Sequence, residues 1–346
     1  MYLGIEIGGT KLQLGVGRGD GPPLVELVRL DARPELGAEG IRRQLAEHGR
    51  PLVERHRVRA VGFGFGGPVD TAQGKTLVSH QVEGWKDFAL GRWCQETLGV
   101  PALVANDSDS AGLAEARFGA GRGRRVVFYT NVGSGIGGAL VLDGHLYPGG
   151  AGVASEIGHL RPGLDAEKPD ATVESFASGW AISRYVAERL KNATDADVGR
   201  TILSVTSSET DRIVRPTDSE TDWIVRPTIA ATNDSPGLST ALIARAAVSG
   251  NAIAREAFDR ACRVYGWAVA QMITLLAPNV VVLGGGVSLA PEAIWRTPLA
   301  RYIDRYVFPP LLGSFALEPA RLGEEVVVHG ALALAREAFD DHPRAG

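Results

Sequence analysis

The sequence predicts an α/β fold made of two similar halves with a ligand cleft between them. Three observations carry this. An apolar run, Tyr2–Ile7, stops at Gly8-Gly9; a second stretch, residues 126–130, stops just before Gly133-Ser134-Gly135; and an all-apolar strand, residues 280–283, ends in Gly284-Gly285-Gly286. Strands that end in glycine turns, repeated in two halves, fit duplicated α/β units whose ligand lies at the strand ends. At 346 residues the chain is also long for a single core.

The elements follow from apolar spacing, in order. After Tyr2–Ile7 and its glycine turn, residues 12–16 alternate as a strand and residues 24–30 read as a third. Residues 40–55 have helical spacing, with Ile41, Leu45, Leu52 and Val53 as the buried stripe. Residues 58–65 then form a buried strand ending in glycines. Residues 102–105 form a short strand that runs into Asn106-Asp107 and a helix through Ala114 and Phe118. The pattern restarts with strands at 126–130 and 139–142, separated by the glycine-rich residues 133–138. After His159 the chain is mostly helical, until residues 269–287 read as helix, turn and strand around Pro278-Asn279.

One short repeat stands out. Residues 208–218 read SETDRIVRPTD and residues 219–229 read SETDWIVRPTI. Two copies of eleven residues are too few for a solenoid, so a tandem duplication inside a surface insertion, about residues 195–236, is the plain reading.

Composition removes several classes of function. Thirty-six Lys and Arg against forty Asp and Glu give a net charge of −4, which disfavours a nucleic-acid partner. Cys94 and Cys262 are the only cysteines; they make neither a disulfide framework nor a cysteine zinc site. Residues 1–5 lack the basic and apolar regions of a secretory signal. The most apolar stretch is interrupted by Pro278 and three glycines, so no membrane span is predicted and the chain reads as cytoplasmic.

The chemistry sits at the glycine runs. Gly8, Gly9 and Thr10 can present successive backbone N–H groups to a phosphate, because glycine lets the backbone approach closely. Lys11 adds charge there, and Glu6 is placed to hold a magnesium ion through water. An ordinary hairpin turn explains the same residues. Gly133, Ser134 and Gly135 repeat the device, and two such loops suit one nucleotide better than either alone. Gly285 and Gly286 leave a flat surface for adenine or ribose, or equally allow close packing of backbone. Asn106-Asp107 serves equally as a helix cap or as a cap plus a carboxylate that accepts a hydroxyl proton during phosphoryl transfer. Glu156 and His159 are suited to sugar hydroxyls, and Glu174-Ser175 reads as a helix start.

Taken together, these blocks resemble the ROK family of sugar kinases and sugar-responsive repressors. The blocks are GIEIGGTK (4–11), GGPVD (66–70), EGW (83–85), ANDSDSAGLAE (105–115), residues 132–159 ending in EIGH, VESFASGWAI (173–182), APNVVVLGGGVS (277–288) and HGALALA (329–335). The glycine blocks are shared with the wider actin, Hsp70 and hexokinase superfamily; the ND and EIGH blocks are more specific.

The resemblance implies an actin-like ATPase fold, with two ribonuclease-H-like domains flanking a cleft. The smaller would span about residues 1–119, the larger about 120–329, and a last helix near 330–340 would pack back on the first. It implies ATP-dependent phosphorylation of a hexose, with Asp107 as catalytic base and Mg²⁺-ATP held by the two glycine loops. Asn106, Glu156, His159, Glu174 and Gly67 would hold the sugar, and the implied assembly is a homodimer.

Three departures qualify the match. Glu6 stands where the family has aspartate. Residues 160–172 contain no cysteine, so the family's zinc loop is missing and no zinc is expected. Gln81 replaces an asparagine four residues before Trp85, which leaves the hexose unnamed. Two other readings stay open: a catalytically weak sugar sensor, and an actin-like ATPase that acts with a protein partner. A repressor would carry a helix-turn-helix before the first glycine block, which here begins almost at Met1.

Overall fold

The first seventeen residues form a hairpin because two apolar runs flank a three-residue turn. β1 (Tyr2–Ile7) is buried along its whole length and pairs antiparallel with β2 (Lys11–Gly17), in register Tyr2↔Gly17 to Ile7↔Leu12. The computed structural model describes residues 1–79, 82–150, 152–163, 167–191 and 238–340. The expected insertion at 195–236, with its repeat, and Gln81 lie outside the described residues.

β3 (Glu26–Asp31) pairs antiparallel with β2, starting two residues later than its apolar pattern indicates. β4 (Val61–Phe65) and β7 (Ala102–Asn106) add parallel strands, and the sheet order is β3-β2-β1-β4-β7. Between β4 and β7, β5 (Val69–Asp70) and β6 (Lys75–Thr76) form a small separate hairpin. The second sheet repeats this plan. β8 (Val126–Val132) pairs antiparallel with β9 (Ile136–Leu142), β9 with β10 (His145–Leu146), and β11 (Val280–Gly284) and β12 (Ala316–Pro319) add parallel strands, in order β10-β9-β8-β11-β12. Each half is therefore an antiparallel three-stranded meander extended by two parallel strands.

β9 begins three residues before its apolar run, so Gly137 and Gly138 belong to the strand rather than to the turn. A Cβ on Gly137 would collide with the Ser108 hydroxyl, and one on Gly138 would come within 2.6 Å of the Ser155 carbonyl. Their smallness serves packing.

Helices fill both outer faces and the space between the sheets. α1 (Gly37–His56) and α2 (Leu90–Leu98) cover the first sheet, with Ile41, Leu45 and Leu52 buried as the spacing predicts and Val53 only partly so. α3 (Asp107–Phe118) follows β7 directly. α4 (Val173–Ala177), α5 (Gly179–Lys191), α6 (Thr240–Val248), α7 (Ala252–Leu276) and α8 (Arg296–Tyr306) form the second half's helical layer. α7 ends at Ala277, in the left-handed conformation, just before Pro278 and β11, which realises the expected helix, turn and strand.

The last helix, α9 (Val326–Asp340), packs on β1, β4 and α3. The contact is backbone on backbone. A Cβ on Gly62 would fall on the Ala331 carbonyl, one on Gly4 would come within 2.6 Å of the Val328 carbonyl, and one on Gly330 would fall on the Ser110 carbonyl. α3 in turn lies against β8 and β9, with Gly112 facing Ala139. Among the described residues no helix is long and apolar enough to cross a membrane.

Candidate active site

The junction of β7 and α3 separates the two possible roles of Asn106-Asp107. Asn106 is the N-cap: its Oδ1 accepts from the N–H groups of Ser108 (2.8 Å) and Asp109 (3.3 Å). Its Nδ2 donates to the Gly67 carbonyl at 3.0 Å and to the Phe65 carbonyl at 3.5 Å. The Asn106 amide thus ties the helix start to the loop after β4. Capping is taken up by Asn106, which leaves Asp107 available.

Asp107 Oδ1 accepts from the Ser108 N–H at 2.7 Å and from the Ser108 hydroxyl at 3.3 Å. Its Oδ2 points towards Gly66, where an added Cβ would sit 3.5 Å away. Burial pushes the Asp107 carboxyl up to about 6; the Ser108 hydrogen bonds work against this and the Glu156 charge reinforces it. One oxygen is held and the other is open, on a carboxyl whose proton affinity is raised towards neutrality.

The first glycine run is a tight hairpin turn, with the Gly8 N–H donating to the Lys11 carbonyl at 3.0 Å. The Gly66 N–H donates to the Ile7 carbonyl at 2.9 Å, which places this turn beside Gly66 and hence Asp107. Glu6 is buried, and among the described residues its Oε2 has no hydrogen-bond partner. Its Oε1 lies 3.4 Å from Lys11 Nζ. Burial raises the Glu6 carboxyl to about 7; Lys11 pulls it down, while Asp107 and Glu324 push it up. Across the strand pair, Gln13 faces Glu6 and donates to the Glu324 carbonyl at 3.0 Å, and Lys11 reaches the same carbonyl at 3.4 Å.

The second and third runs meet each other. The Gly133 N–H closes its turn on the Gly135 carbonyl at 2.8 Å, and the Gly179 N–H donates to Gly133 O at 2.8 Å. Ser134 lies at the tip of this turn. Glu174 braces the turn: its Oε2 accepts from the Ile136 N–H at 2.7 Å, close enough to Gly135 that a Cβ there would clash. Gly285 has a φ of 84° and packs on the Val132 carbonyl, while Gly284 packs on the Tyr129 ring; Gly286 faces open space. Close packing therefore accounts for Gly284 and Gly285, and only Gly286 has room for a ligand.

Both halves line a small cavity beside Asn106. Pro68, Val69, Asn106 and Asp109 come from one side, Gly138 and Glu156 from the other. Glu156 precedes a short 3₁₀ turn, and burial raises its carboxyl, with His159 opposing and Glu174 reinforcing. His159 is exposed, 3.9 Å from the Glu156 carboxylate. Neither His159 nor Glu174 belongs to the cavity lining.

Asp109 was absent from the residues singled out by sequence. Burial raises it to about 7, helped by the charges of Glu156 and Asp107. The available signal was its spacing, a second carboxylate two residues after Asp107 in the first turn of the helix. At this point the Ser108 hydroxyl of α3 donates to Asn131 Oδ1 of β8 at 3.2 Å. Among the described residues, no group of three or more His, Cys, Asp or Glu is arranged to hold a metal ion by itself.

Known proteins match this arrangement over nearly the whole chain. The profile of the ROK family matches residues 2–338. A glucokinase from Thermotoga maritima is 26% identical over 341 residues, covering 97% of each chain. Among solved structures, a ROK hexokinase from Thermus thermophilus has a TM-score of 0.73 at 28% identity, covering 99% of each chain. A ROK family glucokinase from Streptomyces griseus, solved in complex with glucose and AMPPNP, has a TM-score of 0.74 at 28% identity, covering 97% of this chain and 99% of that one.

Proposed function

The chain belongs to the ROK family and has its actin-like ATPase fold, and from that premise we propose that it is an ATP-dependent hexose kinase with Asp107 as catalytic base. The observation that carries this reading is the Asp107 carboxyl, with Oδ1 held by Ser108 and Oδ2 open next to the first glycine turn. A sugar hydroxyl that attacks the γ-phosphoryl group needs orientation and a late proton acceptor. Asp107 supplies the acceptor, and a proton affinity lifted to about 6 keeps it ionised at neutral pH while strengthening it as a base.

The other roles follow from position. Glu156, Asp109 and Asn106 line the cavity for the sugar, with Gly67 held next to it. Asn106 and Glu174 also hold the two loops in place, since the Asn106 amide and one Glu174 oxygen are committed to backbone partners. His159 contributes only if it turns in from its exposed position. The turns at Gly8-Gly9-Thr10 and Gly133-Ser134-Gly135, with Lys11 and Gly286, would take the nucleotide phosphates and adenosine. A smaller domain over about residues 1–119 with the last helix, and a larger one over 120–329, belong to the same reading.

The residues fit magnesium. Glu6 has a buried carboxylate oxygen without a partner among the described residues, and Mg²⁺ keeps several waters and takes few protein ligands alongside substrate phosphates. Bound there through water by Glu6, the ion would neutralise charge on the transferring phosphoryl group.

The test is a coupled assay with Mg²⁺-ATP against glucose, mannose, fructose, allose, N-acetylglucosamine and N-acetylmannosamine. At least one is phosphorylated, and Asp107→Asn loses about three orders of magnitude in kcat while still binding that sugar. Turnover of no sugar, or near-normal turnover by the variant, overturns the reading. One observation favours the second reading, a catalytically weak sugar-binding protein: Glu6 in place of the family's aspartate, engaged with Lys11 at 3.4 Å. Sugar binding without ATP turnover would select it.

A further inference from the structure

A second cavity lies away from the glycine turns, between α4, α5 and α7, and it collects positive charge. Its lining includes Lys168, Arg184 and Arg260, together with Ser175, Phe176 and Tyr185. Two exposed carboxylates, Asp170 and Glu188, also line it, so cations outnumber anions.

Arg260 is the innermost of these cations and is held by aromatic rings. Its guanidinium carbon sits 4.8 Å from the Phe176 ring centre and 4.9 Å from that of Tyr185. Cation–π contacts use the face of the guanidinium and leave its N–H edges free. No carboxylate among the described residues forms an ion pair with it. The walls are fixed as well: Tyr185 donates to Glu256 at 2.7 Å, Arg189 holds the other oxygen of Glu256 at 3.1 Å, and Arg184 donates to the Ser175 carbonyl at 2.9 Å. Burial lowers the Arg260 pKa; Tyr185 and Glu188 oppose this, and the charges of Arg263 and Arg184 add to it. A preformed, half-buried cation, with two more cations on the same cavity, calls for an anion.

We infer that this cavity binds a phosphate or phosphate-monoester dianion through Arg260, Arg184 and Lys168. A single carboxylate would be satisfied by one guanidinium. Three cations around one cavity match a dianion with several terminal oxygens, and a planar guanidinium edge presents paired donors to it. This site is separate from the catalytic reading, but it adjoins it: α4 carries Ser175 and Phe176 in the cavity and Glu174 on the brace of the second glycine turn.

The test is calorimetric titration of the full-length protein, with the catalytic cleft filled by sugar and a non-hydrolysable ATP analogue. Inorganic phosphate and glucose 6-phosphate are titrated separately. Saturable 1:1 binding is expected, weakened about tenfold or more in Arg260→Gln and less strongly in Lys168→Ala, whose exposed side chain can be removed without unfolding the protein. Thermal melts confirm that both variants fold. Binding of both anions shows that the site reads the phosphate group alone; binding of glucose 6-phosphate alone, with the same sensitivity to the variants, assigns the ester. Absence of saturable binding, or equal affinity in wild type and both variants, overturns the inference. Because the readout is binding, it stands apart from whether the protein turns over ATP.

Discussion

Replacing Glu6 by glutamine should make the free protein more stable while damaging its activity, and the gain should depend on pH. Glu6 is buried beside Lys11 and, among the described residues, has an oxygen without a partner, so its carboxyl rises from 4.5 to about 7 on folding. A carboxyl whose folded pKa is raised favours the folded state fully below the unfolded value, near 4.5. That contribution is lost as pH rises through about 7. Above that range the ionised, buried group costs about 3 kcal/mol relative to a neutral one. Glutamine keeps the size and removes the titration. The variant should exceed wild type by about 3 kcal/mol at pH 8.5 and by only about 1 kcal/mol at pH 5.5. For cooperative unfolding of a chain this long the larger gap is a rise in Tm of about 4 °C. Thermal unfolding at the two pH values, without nucleotide or metal, measures it. If the variant is no more stable than wild type at pH 8.5, or if the gap is the same at both pH values, the burial argument for Glu6 fails.

Other perturbations test separate parts of the structure. Gly62→Ala puts a Cβ on the Ala331 carbonyl; with backbone on both sides it should cost about 3 kcal/mol or more, seen as a large drop in Tm and early proteolysis of α9. Asn106→Ala removes the cap of α3 and the tie to Gly67; a loss of about 2 kcal/mol in thermal unfolding should come with a raised KM for sugar. The proton acceptor must be ionised, so kcat should fall on the acid side with a midpoint near 6, the value to which burial lifts Asp107. A limb near the ordinary aspartate value, measured on the full pH profile, would count against Asp107.

The strands were legible because most are buried on both faces and so appear as unbroken apolar runs. β1, β4 and β11 show this most clearly. The helix at residues 40–55 was visible through Ile41, Leu45 and Leu52, despite Gly49 and Pro51 within it. Long-range hydrogen bonds were not legible. Nothing local marks Asn106 as a tie to Gly67, thirty-nine residues away, or Glu174 as the brace of a turn at Ile136. Glycines were ambiguous for the same reason: Gly285 and Gly286 look alike in sequence, yet one is pressed against Val132 and the other faces open space. Asp109 was hidden by its helix-start position, where an acidic residue is ordinary.

The packing of α9 on β1 and β4 also bears on how the chain is made. Tyr2 and Ala60 share a buried cluster with Val328, Leu332 and Ala335, so strands synthesised first wait for nearly the last residues before their inner face is covered. Until then that face is an apolar surface on the nascent chain, of the kind that recruits chaperones or self-associates. A premature stop codon shortly before residue 326 would leave every catalytic candidate in the chain and still expose the earliest sheet. The damage from such a truncation would appear at the opposite end of the sequence from the lesion.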